Sequence, residues 1–561
     1  MSEASSDVEY VGNGRQFVTA EIETYQPGYG GEDEDAEAPR AWGTGPWGVR
    51  TRALGSLEIT STIRVSDIGY RTATTDNPAL TPYPPLLAEG FAVSRKVPLA
   101  PSQASAGAAW GALKLLNGDR MLDVYLPSNS DARPVRIRIG RKQWDEARGY
   151  EIDPPYALIR QVFAGVATPW AFGEGTLEIP LRDATYWIER PYQNNLYAGT
   201  GGLEGPDELK GRPKPRTRGG TAQAPVQNIT PVLVDSVNRI YQWTDGPGTV
   251  VNLYEGGDAQ IPYDGDTGDL YSGAVASGHF RTDNARGLFQ LGTRSFRTIT
   301  CDVTGAFPVA GAKSSAMDVV IGMLKEDMQL PEDFLDLTTL LTVNEDNPAP
   351  TGWYWSGEER VQGVDAIMPF FTSIAAKMVP LRDGRLSCLL LRPPAGGGIS
   401  RFTSADIIKI TPVSLGAPLD PPAAVWQAGY ARNFTVQIGE LDPDVTEERQ
   451  GIIGETWRSG TWVGNDVIAA YRRPSTPDIV ETALLVKSDG DNLAAIWGAL
   501  WGVRRRCYEI EVLADRAFAH DIGEQITLAY PLDDLDAGRT ALIVGDALRT
   551  GSPTATLRVL V

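Results

Sequence analysis

Residues 198–220 read AGTGGLEGPDELKGRPKPRTRGG. Glycines at 199, 201, 202 and 205 precede cations at every second position: Lys210, Arg212, Lys214, Arg216 and Arg218. Bare amides followed by basic side chains are the parts of a phosphate cradle. The spacing is not GxGxxG, and a dinucleotide loop needs a strand before it and a helix after it. Here Pro206, Pro213 and Pro215 follow, and they exclude a regular helix. They bias the segment toward extended geometry, in which alternate cations share one face. The stretch therefore reads as an arm between two β-rich domains. Its five cations are expected to dock on an acidic surface of a neighbouring subunit or partner, or to line a channel near DNA. The competing reading is a solvated interdomain loop.

The other candidates for chemistry are weaker. GAFPVAGAKSS carries Gly305, Gly311, Lys313 and Ser314, but Ala312 separates glycine from lysine, so consecutive amides cannot wrap a phosphate. It reads instead as the start of the following helix. In YDGDTGDL, Asp264, Asp266 and Asp269 are spaced like the start of a calcium loop. The twelfth position, where glutamate is needed, is Val275, so a turn with solvated aspartates is expected. A nucleophilic pair would have to combine Cys301, Cys388 or Cys507 with His279 or His520, the two histidines in the chain. Cys388 lies in the apolar run LSCLLL and reads as an inert buried thiol. With 71 acidic residues, carboxylate pairs for glycoside hydrolysis are possible in many combinations. The 14 tryptophans and 20 tyrosines could line a sugar groove, or fill cores and interfaces. No catalytic residue, metal ligand or cofactor site is assigned.

Elements must position these residues. The period-two patterns are clear: Val135, Ile137 and Ile139 alternate with arginines, Leu177, Ile179 and Leu181 with Glu178, Pro180 and Arg182, and Leu557, Val559 and Val561 close the chain. Asn117-Gly118, Asp245-Gly246 and Asp383-Gly384 are hairpin signals. Three helices are expected. SSAMDVVIGMLKEDM has a capping box from Ser315 to Asp318, and GVDAIMPFFTSIAAKM has Pro369 near its start. DNLAAIWGALWGVRRR has three arginines in its last turn.

The fold class expected is mainly β and multidomain, α+β overall. It comprises several small β-barrel or sandwich domains, a central α+β insertion, and a C-terminal β-domain carrying one packed helix. The length of 561 residues suits several domains at roughly 100–200 residues each. The boundaries are 1–90 (with an acidic loop at 32–37), 91–197, 198–310 (the basic loop and a second β-domain), 311–400 and 401–561. A net charge of −20 argues against a general nucleic-acid coat. Three scattered cysteines argue against a disulfide framework and for a reducing place of assembly. No signal peptide or membrane span is expected.

In order, SDIGYRT (66–72), LKLLNGDRMLDVYLP (113–127), VRIRIGRKQW (135–144), FAGVATPW (163–170), the stretch from 177 to 220 and ITPVLVDSVNRIYQWTDG (229–246) resemble the N-terminal half of bacteriophage tail-tip, or baseplate-hub, proteins. DVVIGMLKEDMQLPEDFLD, GWYW, MVPLRDGRLSCLLLRPP and GEQITLAYPLDDLDAGRTALIVGDAL are similar to their middle and closing regions. The resemblance implies a structural virion protein, assembled in the host cytoplasm, with no catalysis. Three copies would surround the tail axis and contact distal-tail or tail-tube, tape-measure and fibre proteins, with DNA passing only transiently. Some relatives hold an iron–sulfur centre on a cysteine cluster, which this chain lacks. The alternative is a tail protein that binds or degrades host-surface glycans. A nucleotide-driven ejection factor is disfavoured by both failed phosphate loops.

Overall fold

The structure is a computed structural model that describes residues 14–26, 49–52, 58–90, 92–105, 107–257 and 259–561. The acidic loop at 32–37 lies outside the described residues. The chain is mainly β, with several curled sheets and a few helices, as the alternation implied.

The first sheet runs in the order Val49–Arg52, Glu58–Ser66, Gln16–Gln26, Pro134–Arg141, Arg160–Ala167, Thr176–Arg182, Ala112–Leu116, Leu87–Glu89, with antiparallel neighbours. Val135, Ile137 and Ile139 point inward against Val18, Ala20 and Ile22, while Arg136 on the same strand is exposed. A one-residue slip would turn the whole apolar set to solvent, so this alternation holds the register.

The last sheet is built from Arg401–Phe402, Gln525–Leu528, Arg539–Arg549, Thr554–Leu560, Cys507–Leu513 and Ile407–Val413. Ala92–Lys96, from far earlier in the chain, pairs with its Gly545–Arg549 stretch. The first and last sheets share one continuous apolar core. Beside them, the helix Lys487–Trp501 packs on the hairpin of Val425–Tyr430 and Arg458–Val463. Gly498 is needed there, because a Cβ would come within 2.2 Å of the Trp462 ring.

Two further sheets lie in the middle of the chain. One is ordered Ala259–Gln260, Gly248–Glu255, Ile299–Phe307, Arg216–Gly219, Gly352–Trp355, and the other Val232–Asp235, Ile240–Gln242, Leu288–Leu291, Phe280–Asp283, Tyr263–Asp266. The helices Ala316–Gly322 and Gly363–Thr372 share a core with Trp353 and Trp355.

Several local expectations change. Only Asp383-Gly384 closes a two-stranded hairpin, Ala376–Pro380 with Leu386–Leu390. Asn117 instead caps a short 3₁₀ turn, accepting from the Leu122 N–H at 2.8 Å and donating to Asp123 at 2.8 Å. Asp245-Gly246 joins strands of two different sheets. Pro369 is interior to Gly363–Thr372 rather than near its start. The three arginines lie beyond Trp501, and only Arg505 reaches back, donating from Nε to the Leu500 carbonyl at 3.0 Å. Ser315 Oγ does bond Asp318 Oδ2 at 2.9 Å, but its side chain does not cap a backbone N–H. Among the described residues there are also helices at Leu337–Asp346, Glu447–Gly454, Asn465–Ala470 and Ala514–Phe518. They were not expected, since each is short and weakly periodic.

Candidate functional site

The glycine–cation stretch folds back on itself. Tyr197 N–H donates to the Arg212 carbonyl at 3.0 Å, Gly211 N–H to the Tyr197 carbonyl at 2.9 Å, and Lys214 N–H to the Asn195 carbonyl at 2.9 Å. Pro213 sits opposite Leu196, where its missing N–H is tolerated. At the tip, Gly199 and Gly201 have φ of +69° and +89°, a region costly for any other residue type. Their amides are turned inward, onto the Glu204 carbonyl at 3.0 Å and the Gly205 carbonyl at 2.7 Å. The Glu204 carboxylate occupies the position an anion would need, accepting from Lys214 Nζ at 2.8 Å and from the Ala198 N–H at 3.2 Å. The loop is therefore a closed pin with no cradle. Leu203 and Leu209 seat its tip on the apolar cluster of Val232, Val234, Ile240, Leu270 and Leu288.

The five cations do not share one environment. Lys210 is exposed. Arg212 is half-buried and donates to the Ser356 carbonyl at 3.1 Å, with Glu358 3.5 Å away. Lys214 pairs with Glu204 over the Tyr197 ring. Arg216 and Arg218 belong to the strand Arg216–Gly219, lie on one face and are buried. Both reach Asp327. Arg218 grips it with two parallel bonds, Nε to Oδ2 at 3.0 Å and Nη2 to Oδ1 at 2.6 Å, and Arg216 Nη1 adds a third at 2.7 Å. Tyr192 Oη donates to Oδ2 at 2.7 Å. Arg216 also meets Asp245 at 3.2 Å, and Arg218 lies 4.2 Å from the centre of the Phe307 ring.

Burial alone would raise the Asp327 carboxyl, but the Arg218 charge and hydrogen bonds, followed by Arg216 and Tyr192, hold it below the usual carboxylate range. Burial, with Asp327 beside it, pushes the Tyr192 phenol well up, so it stays a neutral donor. Two guanidiniums face two carboxylates, leaving no net charge to attract a ligand. Asp327 ends the π-helical turn Met323–Asp327, directly after Ala316–Gly322. The cluster thus ties the arm to the α+β region. Asp327 did not stand out in the sequence, although a signal existed: it falls three residues after Leu324, in the register of the apolar stripe Met317, Val320, Leu324.

A second buried cluster joins the two ends of the chain. Arg95, wholly buried, donates from Nε to Asp546 Oδ1 at 3.0 Å, from Nη1 to the Pro380 carbonyl at 3.0 Å and from Nη2 to Asp521 at 2.6 Å. Nearby, Ser400 Oγ is 2.9 Å from His520 Nε2, and His520 Nδ1 is 2.8 Å from Glu524 Oε2. That sequence of hydroxyl, imidazole and carboxylate is the connectivity of an acyl-transfer triad. Here the ring is 7% exposed, packs on Phe402, and ties the 400 segment to the turn at 520–524.

The other candidates are placed as follows. Lys313 approaches Asp318 at 3.5 Å, and the Ser314 carbonyl accepts from Thr351. Asp264 holds His279 and the Ala276 N–H, Asp266 holds Thr282 and the Asn284 N–H, and Asp269 holds the Tyr271 N–H. Their side chains are engaged separately. Among the described residues no group of three or more His, Cys, Asp or Glu could hold a metal ion. All three cysteines are buried and unbridged. Burial raises each thiol, Cys388 to about 12. No helix among the described residues is long and apolar enough to cross a membrane.

No family model matches the chain, and no curated protein does. Among solved structures, the 43 kDa tail protein of prophage MuSo2 from Shewanella oneidensis aligns at 9% identity and TM-score 0.31, over 84% of this chain and 92% of that one. A tail protein from Neisseria meningitidis MC58 aligns at 8% identity and TM-score 0.30, over the same shares. At these TM-scores the superposition is too loose to assign a shared fold.

Proposed function

We propose that the chain is a structural, non-catalytic component of a phage tail tip or baseplate, hub-like in position. It would join the tail tube to distal tip or fibre proteins through self-associating β-domains, three copies around the tail axis. The carrying observation is the ordered run of signatures from 66 to 246 that resembles tail-tip hub proteins. Its most distinctive segment is a pin between modules, with Arg216 and Arg218 committed to Asp327 inside the chain. A part with this construction holds its own domains in fixed relation, and its work is done at interfaces. Native mass spectrometry of the full chain, with immunogold labelling of intact particles, tests this. A closed ring and label at the tail tip are expected. A chain that stays monomeric at all concentrations and labels no particle defeats the proposal.

Two outcomes separate the structural reading from its rivals. Lys210 is the exposed cation of the arm, so Lys210→Glu is expected to weaken ring or partner association at low salt while leaving the melting temperature unchanged. Unaltered association would leave the arm an internal pin only. Ser400 is expected to remain unlabelled by a fluorophosphonate probe, and polysaccharide zymograms are expected to be blank. Labelling that disappears in Ser400→Ala would establish an acyl-transfer site instead.

A further inference from the structure

Arg432 lies in a box of three aromatic rings. Its guanidinium carbon is 4.7 Å from the centre of the Trp353 ring, 5.1 Å from that of Phe434 and 5.4 Å from that of Trp457. The rings brace one another: Trp353 meets Phe434 edge-on at 5.5 Å and Trp457 at 6.1 Å. The backbone is fixed on both sides of the arginine. Ala431 holds φ at +43°, a region costly for alanine, and its N–H donates to the Leu484 carbonyl at 2.7 Å. The Asn433 carboxamide donates to the Ile453 carbonyl at 2.7 Å and accepts from Asn228 at 2.7 Å. The chain thus accepts backbone strain to set one guanidinium against three rings, and strain of this kind concentrates at binding sites.

The guanidinium is held by its faces and not by its edge. Among the described residues no acceptor lies within hydrogen-bond reach of it, and its Nε is buried. Glu481, itself exposed, stands 3.7 Å from Nη1, while 30% of the Arg432 side chain stays open to solvent. Burial lowers the Arg432 pKa, and the Glu481 charge only partly offsets this. Arg95 and Arg218 differ: each grips a carboxylate of this chain through two bonds. The edge of Arg432 is therefore a planar fork with its partner missing, and a carboxylate matches such a fork with two parallel bonds. A dianionic phosphate suits it less, beside Glu481 on a chain of net charge −20. The surroundings favour a peptide over a sugar. Phe434 and Trp457 are half-buried, and Val436, two residues on, is exposed. The nearby polar groups are already engaged, Asn433 with Asn228 and the Thr435 hydroxyl with Thr230 at 2.7 Å.

We propose that Arg432 receives an Asp or Glu side chain of a second polypeptide, set between apolar residues, and that Glu481 holds the place the incoming carboxylate takes. The ligand class follows from the box and holds whether or not the chain sits in a phage tail. An mRNA-displayed library of random dodecapeptides, selected on the full chain and counter-selected on Arg432→Gln, is the probe. Enriched peptides are expected to share one Asp or Glu flanked by apolar residues. A synthetic representative should lose affinity by about tenfold when that residue becomes Asn or Gln, because the charge-assisted pair is lost. Arg432→Lys keeps the charge but not the fork, and should weaken binding by a similar factor. Glu481→Gln, at an exposed position, should melt like the wild type and bind the same peptide about threefold more tightly, since the competing carboxylate is gone. An arginine that only packs the rings would give no such gain. Failure of any Arg432-dependent peptide to enrich, or binding indifferent either to loss of the carboxylate or to Glu481→Gln, overturns the proposal. Binding of a hyaluronan hexasaccharide with every peptide blank overturns it in favour of an acidic glycan site.

Discussion

Replacing Asp327 by alanine is expected to destabilise the middle of the chain by about 3–5 kcal/mol, the usual cost of removing one partner from a buried ion pair. The Arg218 side chain is 2% exposed and Asp327 5%. Without the carboxylate, Arg218 keeps carbonyl bonds to Thr217 and Ala306 but has no counter-charge, while Arg216 keeps Asp245. Changing Arg218→Met together with Asp327→Leu should recover most of the loss, since the desolvated charges go together. The pH dependence has a definite sign. The folded Asp327 titrates below its unfolded value, so its contribution is complete above about pH 4 and is lost as pH falls through the folded value. The stability gap between wild type and Asp327→Ala should therefore narrow on acidification. Denaturant midpoints measured from pH 7 down to about pH 2.5 check this. A gap of constant width would mean that Asp327 is not charged in the folded protein.

Arg95→Met is expected to have an effect of similar size, about 3–5 kcal/mol, at the other buried cluster. Arg95 is fully buried and Asp546 is 1% exposed, so the variant strands a carboxylate in the core beside Asp521. Burial opposes charge on Arg95, but Asp546 and then Asp521 more than offset it and raise its pKa. Because Ala92–Lys96 holds its place in the last sheet opposite Gly545–Arg549, deuterium exchange should accelerate in both strands. Arg95→Lys keeps the charge but not the two-pronged grip, and should fall between. Wild-type melting and exchange in Arg95→Met would show that the strand pairing alone holds this junction.

Alternation in the sequence located the strands well: Val135, Ile137 and Ile139 face the core as their spacing implies. It carried no information on partners. Nothing local to residues 92–96 marks them for a strand some 450 positions later. Turn signals were less reliable, because Asn-Gly and Asp-Gly describe a backbone bend and not which sheet each flank joins. The helix Ala316–Gly322 was visible from its stripe, but its continuation as a π turn was not, and that turn carries Asp327 into the arm's arginines. The five cations were legible as a group. Their division was not: it depends on where the strand Arg216–Gly219 begins, which sets Arg216 and Arg218 in the interior and leaves Lys210 in solvent. The Ser400–His520–Glu524 chain was missed because a hydroxyl 120 positions from its histidine leaves no spacing to read.

The contact between Arg95 and Asp546 spans 451 positions. At about 5–20 residues per second of synthesis, roughly 20–90 s pass between the incorporation of Arg95 and that of Asp546. Until then the guanidinium lacks its Asp546 partner, and the edge of Ala92–Lys96 that faces Gly545–Arg549 is unoccupied. Any product of interrupted translation that stops short of Asp546 is left with that junction open. The junction therefore acts as a length gauge, because only a chain translated through Asp546 can seal it.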